Sequence, residues 1–311
     1  MNIEQDFELI RHLSSAENVG ANNAGISLVR QISTGALCIE KRLNPVDIAR
    51  GSAQREIEIL SQLRNHPTGN ISHMLAFKID DGSRPGSEDI VVEPSASVYL
   101  EYCDSGSLED LIARYMEANE AFPEAFLWHL IAGLAEAVQY CQYGPASSSA
   151  SSSNPMEQDD GPIPWDTVYH CDLEPSNVLL DSSQIINIKT PYPRIVLCDF
   201  GISTTREDIM YGCSECVSHH SWSRKNDVHQ IGLVMACCIL SCYRLDPDSM
   251  MNEVYMTPGY SWALKSLVFA CLEHEDEERI EIEYLVEKIA RARARLRLRM
   301  SGEIAEEALL C

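Results

Sequence analysis

The 311-residue sequence has no long uninterrupted apolar run. A membrane-spanning helix needs about 18 or more apolar residues with few or no charges, so we expect no transmembrane segment. Residues 1–6 also lack a basic stretch followed by an apolar one, the pattern of a secretory signal. These two absences predict an intracellular protein, cytoplasmic or nuclear.

Positive charge is scarce. The chain has 24 Lys and Arg against 47 Asp and Glu, a net charge of -23. Such a balance repels the phosphates of nucleic acids, so we expect no nucleic-acid partner. The 12 cysteines lack the spacing of a disulfide framework. Many lie in apolar stretches, as Cys237 and Cys238 do, which predicts buried thiols in a reducing compartment.

Aromatic residues make up only 7% of the chain, but 45% of it is hydrophobic, enough to bury one large core or two linked lobes. Short apolar stretches separated by turn residues predict strands, and longer stretches of helical period predict helices. A small β-rich half therefore precedes a larger, mainly helical half, which makes the fold α+β. The predicted strands cover 7–10, 26–29, 36–41, 90–92 and 97–100, and the clearest helices cover 45–63 and 123–143.

Composition also predicts the domain organisation. The β-rich half covers residues 1–103 and the helical half covers 104–290. Within the helical half, residues 145–164 form a Ser-rich and acidic insertion that buries too little apolar surface to fold. Residues 291–311 form an Arg-rich helix and tail. We expect that helix to be solvated and to pair with acids such as Glu281, Glu283 and Glu287, and a docking surface is the alternative.

Two segments carry the chemical signal. Residues 168–180 read V-Y-H-C-D-L-E-P-S-N-V-L-L, and residues 197–201 read L-C-D-F-G. They resemble the catalytic and metal-binding loops of the eukaryotic protein kinases, H-R-D-L-x-x-x-x-N and D-F-G. The resemblance extends over residues 7 to 290 and implies the bilobal protein kinase fold. It also implies that Asp172 is the catalytic base and that Asn177 and Asp199 bind Mg²⁺, a cation that prefers oxygen ligands.

The same resemblance implies an ion pair in the N-terminal half. Residues 38–41 align with the V-A-I-K motif, so Lys41 would hold the α- and β-phosphates of ATP. Glu56 matches the helix glutamate that pairs with this lysine. Glu58 is the nearest competitor for that role, but Glu56 has Leu60 one turn further on, as the family does.

Residues 100–108 resemble the segment that joins the two lobes of a kinase. The resemblance implies that backbone groups of Glu101 and Cys103 bind adenine, with Ile26 above the ring and Leu179 beneath it. Ile39 stands where the family has a small residue over the ring, and its extra methylenes crowd the pocket.

Besides Ile39, the pattern departs from the family at three places. The expected glycines of the phosphate-binding loop are Val19, Ala21 and Ala24, which disfavours a close backbone approach to phosphate. Cys171 replaces an arginine that would bind a phosphorylated activation loop, so we do not expect Thr204 or Thr205 to act through that contact. The most serious departure is Glu174, which replaces a lysine that steadies the γ-phosphate. The carboxylate of Glu174 would repel that phosphate.

Other residues fit the resemblance less directly. Asp227 and Arg279 match structural positions of the family, with Arg279 expected to pair with Glu215. A second candidate site is a C-x-x-C followed by two histidines, which reads either as a zinc site or as ordinary residues of an activation segment. Its members are Cys213, Cys216, His219 and His220.

The sequence thus predicts an ATP-dependent, Mg²⁺-assisted protein serine/threonine kinase that is divergent and of weakened activity, with a protein as substrate or partner. Two alternatives remain open. One is a pseudokinase that acts as a nucleotide-binding or scaffolding module. The other is a small-molecule kinase, because aminoglycoside and choline kinases also use an H-x-D-x-x-x-x-N loop.

Overall fold

The computed structural model describes residues 6–13, 25–80, 94–145, 165–183, 192–211, 223–300 and 309. Its N-terminal half is a five-stranded antiparallel sheet in the order β1-β2-β3-β5-β4. Two helices follow β3 in the chain. The elements are β1 Phe7–His12, β2 Gly25–Gln31, β3 Leu37–Leu43, α1 Pro45–Arg50, α2 Ser52–Leu63, β4 Met74–Asp80 and β5 Ser95–Glu101.

The C-terminal half is mainly helical. A 3₁₀ turn at Pro175–Asn177 precedes the β7–β8 hairpin, and a second short pair joins β6 to β9. The elements are α3 Leu108–Ala118, α4 Glu124–Tyr143, β6 Val168–Tyr169, β7 Val178–Asp181, β8 Arg194–Leu197, β9 Thr204–Thr205, α5 Arg206–Met210, α6 Arg224–Leu240, α7 Met250–Met256, α8 Trp262–Leu272 and α9 Ile282–Met300.

Helices α4 and α6 form the centre of this half because α4 and the part of α6 from Ile231 onward are apolar on nearly every face. α4 packs against α6, α9 and β8, and α6 packs against α8. One large apolar cluster runs from Leu43 and Ile57 in the first half to Leu134 and Val234 in the second. The order of elements confirms the predicted two-lobed α+β architecture.

Several local predictions need correction. The single helix expected over 45–63 is two helices, because Gly51 adopts φ 85° and both ends α1 and precedes α2. This left-handed conformation suits glycine and interrupts the helix. Helix α4 begins at Glu124, one residue later than predicted, with Pro123 in the N-cap position, and it ends at Tyr143 as predicted, with Gly144 in the C-cap position. Strand β4 was not predicted, and the strand expected at 90–92 lies outside the described residues.

The Arg-rich stretch belongs to α9, which begins before it and continues to Met300. Arg291 pairs with Glu287 on the same helix, as expected. Glu281 instead pairs with Lys225 of α6, at 3.0 Å. The predicted insertion falls almost entirely outside the described residues. Among the residues that are described, no helix has the length and apolar character needed to cross a membrane.

Candidate active site

The best-defined polar cluster in the interior joins Lys41, Glu56 and Asp199. Lys41 lies on β3 and its Nζ is 2.7 Å from Glu56 Oε1 of α2 and 2.8 Å from Asp199 Oδ1, which follows β8. Burial opposes the charge on Lys41, but the two carboxylates outweigh it and raise its pKa. The structure therefore brings together three predicted site residues from distant parts of the chain, and it excludes Glu58, which is exposed and bonded to Gln54.

The loop that carries Asp199 is tightly constrained. Asp199 has φ 62°, an uncommon conformation for a residue with a side chain, and its Oδ1 also accepts a hydrogen bond from Gly201 N at 3.1 Å. A Cβ at Gly201 would lie 3.1 Å from that oxygen and 3.3 Å from Lys41 Nζ. Phe200 is buried and its ring packs edge-on against His170, with centroids 4.8 Å apart. A side chain at 201 would therefore crowd the cluster, and Asp199 or Lys41 would have to shift slightly to admit it.

Helix α6 holds the loop at 170–177. The buried Asp227 carboxylate accepts hydrogen bonds from the backbone amides of His170 and Cys171, both at 3.0 Å. Gln230 accepts from Leu173 N and donates to Cys171 O. Cys171 has φ 69°, so these four contacts stabilise a strained backbone. Burial raises the pKa of Asp227 to about 6.

Asp172 and Asn177 face each other across this loop. Asn177 Nδ2 donates to the backbone oxygen of Asp172 at 2.9 Å and to its Oδ2 at 3.0 Å. Burial raises the pKa of Asp172, and the charge of the exposed Glu174 raises it further. Glu174 Oε1 accepts a hydrogen bond from Ser176 Oγ at 2.5 Å. The carboxylate expected to act as a base thus lies beside another negative charge.

The polar groups here fit a magnesium ion chemically. Because Asn177 uses its amide nitrogen on Asp172, the amide oxygen is the atom left for a cation. Asp199 uses Oδ1 on Lys41 and Gly201, and its side chain is 36% exposed. An amide oxygen and a carboxylate oxygen are ligands that Mg²⁺ prefers.

The alternative zinc site, which the sequence disfavours, is a different case, because its four residues lie outside the described part of the chain. Within the described ranges, no group of three or more His, Cys, Asp or Glu side chains is arranged to hold a metal ion. The predicted glycine positions, Val19, Ala21 and Ala24, also lie outside those ranges, as does Glu215. Arg279, expected to pair with Glu215, contacts Asp276 at 2.9 Å.

The predicted adenine-binding residues come from both halves. Ile26 of β2 lies opposite Lys41, and Ile39 of β3 lies opposite Leu100. The carboxylate of Glu101 points away to Arg194, and its backbone amide donates to His73 O at 3.0 Å. Cys103 is buried, and burial raises its pKa to about 12, so the thiol stays protonated. Leu179 of β7 bridges to Ser107, just beyond the segment that joins the halves.

A network behind this joining segment was not predicted. Arg194 Nη2 lies 2.7 Å from Glu101 Oε2 and 2.7 Å from Asp181 Oδ2, and Nη1 donates to Gly69 O at 2.6 Å. Glu101 Oε1 also accepts from His73 N at 3.0 Å. The only sequence signal is a basic residue that opens the otherwise apolar R-I-V-L strand. This network ties the end of β5 to the β7–β8 hairpin.

Comparison with known proteins points the same way. No protein-family model matches the chain. The chain is 26% identical over 238 residues to the G2-specific protein kinase fin1 of Schizosaccharomyces pombe. The aligned region covers 72% of this chain and 30% of fin1. It is 23% identical over 301 residues to the G2-specific protein kinase nimA of Emericella nidulans. That aligned region covers 87% of this chain and 40% of nimA.

The chain therefore spans less than half the length of these relatives. A shorter match of 111 residues, 26% identical, is to human serine/threonine-protein kinase D2, and covers 31% of this chain and 12% of that kinase. Together with the order of the elements and the two loops, these similarities support a protein kinase-like domain.

Proposed function

We propose that this chain is a protein serine/threonine kinase that transfers the γ-phosphoryl group of ATP to a hydroxyl of a protein, with Mg²⁺. The observation that supports it most is the position of Lys41, within 2.8 Å of both Glu56 and Asp199. An ammonium held in this way has a fixed position from which it can contact phosphate oxygens. The names of the relatives support the same class of substrate.

Each predicted residue has one role in this proposal. Lys41 contacts the α- and β-phosphates while Glu56 orients it. Asp172 accepts the proton of the attacking hydroxyl, and its raised pKa favours proton uptake. Asp199 and Asn177 hold the magnesium, which when bound neutralises charge on the phosphates. Adenine binds to backbone groups of Glu101 and Cys103, between the side chains of Ile26, Ile39 and Leu179.

The proposal extends to partner and location. The net charge of -23 disfavours nucleic acid as a partner, so we infer a protein substrate or partner protein. An intracellular location, cytoplasmic or nuclear, is part of the same proposal. A small-molecule kinase is the weaker hypothesis, because the contact of Asp227 with the loop fits the protein kinase pattern better. A peptide array run beside a panel of small alcohols distinguishes the two substrate classes.

The Asp172→Asn variant tests the enzyme proposal. We expect ATP with Mg²⁺ to raise the Tm of both wild type and variant, because Asp172 acts on the hydroxyl and not on the nucleotide. Transfer of radiolabelled phosphate should fall about 10²- to 10⁴-fold in the variant, the usual contribution of a general base. Asp248→Asn, an exposed carboxylate before α7, is the matched control and should transfer normally. Nucleotide binding without transfer by either protein would favour a scaffold.

A pseudokinase is the second candidate, and the position of Glu174 favours it. Its exposed carboxylate adds negative charge next to Asp172, where phosphate would bind. We expect Glu174→Lys to raise turnover about tenfold by replacing repulsion with attraction, and Glu174→Gln to raise it less. The initial rate with a peptide substrate measures both. Unchanged or lower turnover in Glu174→Lys would show that repulsion is not what limits the rate.

A further inference from the structure

Helix α2, which carries Glu56, makes a second charged contact with the C-terminal half. Arg55 is the residue just before Glu56, and its Nε is 3.2 Å from Asp208 Oδ2 of α5. The two side chains are only 18% and 25% exposed. An ion pair this sheltered is screened less than a surface pair and contributes more to stability.

Asp208 is itself fixed in place. Its Oδ2 accepts hydrogen bonds from Thr205 N at 3.2 Å and Thr205 Oγ1 at 3.3 Å, and Thr205 Oγ1 accepts from Asp208 N. This reciprocal cap orders the first turn of α5. Arg206 N donates to Thr167 O at 2.8 Å, which joins α5 to the chain just before β6. The carboxylate that meets Arg55 therefore has a defined position.

The other end of α2 contacts the same region. Gln62 Nε2 donates to Asp166 O at 2.7 Å, and Asp166 Oδ1 accepts from Glu207 N at 3.1 Å. Helix α2 is thus attached to the C-terminal half at two points, to α5 through Arg55 and to the chain just before β6 through Gln62. Because Glu56 lies between these two points, they restrict how far its carboxylate can move from Lys41.

The hydroxyls of residues 203–205 are either hydrogen-bonded or buried. Ser203 Oγ donates to His170 O at 2.9 Å, Thr204 is 1% exposed, and Thr205 caps α5. The Cys171 thiol contacts Tyr169 O at 3.3 Å and offers no cation for a phosphate. A phosphate on any of these hydroxyls would have to displace existing contacts. The carboxylate that meets Arg55 of α2 is that of Asp208.

We propose that Arg55 and Asp208 are positioning residues that hold α2 where Glu56 reaches Lys41, so that the site assembles without phosphorylation at residues 203–205. This inference rests on the proposed kinase function for its catalytic consequence. Its structural part, the attachment of α2 to α5, does not depend on that function.

Amide hydrogen exchange tests the structural part. We expect Arg55→Met and Asp208→Asn each to speed exchange in α2 about tenfold, and the double variant to show no further increase, because both remove the same contact. Arg64→Met and Glu58→Gln, exposed positions at the end and on the outer face of α2, are matched controls and should exchange as wild type does. Wild-type exchange in either single variant, or additive effects in the double variant, would overturn the proposal.

Kinetics test the catalytic part. We expect each single variant to lower kcat about tenfold while KM for ATP changes less than about twofold, because the contact orients Glu56 and does not bind nucleotide. Wild type treated with phosphatase, and shown by mass spectrometry to be unmodified at 203–205, should keep its kcat. Loss of kcat on that treatment would overturn the proposal. If wild type transfers no phosphate at all, the kinase function fails, and amide exchange alone decides whether α2 is held.

Discussion

Replacing Lys41 by methionine should lower the free energy of unfolding by about 3–5 kcal/mol, because it leaves Glu56 buried without its counter-charge. The Glu56 side chain is 4% exposed, and Lys41 Nζ is the cation 2.7 Å from it. Asp199 loses the same partner, although at 36% exposure it is better solvated. Urea unfolding measures the change, and phosphoryl transfer should fall together with it.

A double variant separates the ion pair from packing. In Lys41→Met/Glu56→Leu both charges are gone and the volume is largely kept, so much of the lost stability should return. Phosphoryl transfer should not return, because no cation then meets the phosphates. A double variant no more stable than Lys41→Met would mean that lost packing, and not an uncompensated carboxylate, causes the destabilisation.

The residues of this cluster could be predicted because each lies in a local pattern. Lys41 ends the predicted strand over 36–41, Glu56 lies one turn before the apolar Leu60 in a predicted helix, and Asp199 begins D-F-G. Such patterns name residues without giving distances. The contact between Asp199 and Lys41, which are 158 positions apart, depends on how the two halves pack.

Other parts of the fold gave weaker signals. Strand β4 reads M-L-A-F-K-I-D, which lacks a clear alternation of buried apolar and exposed polar positions, and both Phe77 and Ile79 are more than a third exposed. The sequence does not reveal the break at Gly51, because Ile57, Leu60 and Leu63 follow it with the apolar spacing of a continuous helix. Backbone conformation, and not hydrophobic period, separates α1 from α2 there.

Contacts between exposed-looking charges were the hardest to predict. Arg55, Asp208 and Glu101 each resemble ordinary surface charges in the sequence, because a single charged residue in a helix or at a strand end is usually solvated. Their partners lie far away in the chain, as with Glu101 and Arg194, which are 93 positions apart. Only the packing of the β7–β8 hairpin behind β5 brings these two together.

Arg194→Met should be the second most damaging substitution, lowering the free energy of unfolding by about 3–5 kcal/mol. Arg194 is the shared partner of Asp181, whose side chain is 1% exposed, and of Glu101, which is 21% exposed. The two carboxylates raise the pKa of Arg194 despite its burial, and Arg194 lowers the pKa of Asp181 although burial opposes this. Without the guanidinium, Asp181 is left as a buried, unpaired anion.

Urea unfolding distinguishes the loss of a buried network from the loss of a surface ion pair. The variants to compare are Arg194→Met, Arg194→Met/Asp181→Asn and Arg291→Met. The second variant should recover part of the lost stability, because an amide in place of the Asp181 carboxylate keeps the shape and removes the unpaired charge. Arg291→Met breaks a pair whose side chains are 69% and 51% exposed and should leave stability unchanged. Because Glu101 ends the strand that leads into the proposed adenine site, Arg194→Met should also weaken ATP binding. Equal stability of Arg194→Met and Arg291→Met would mean that the network does not hold the two halves together.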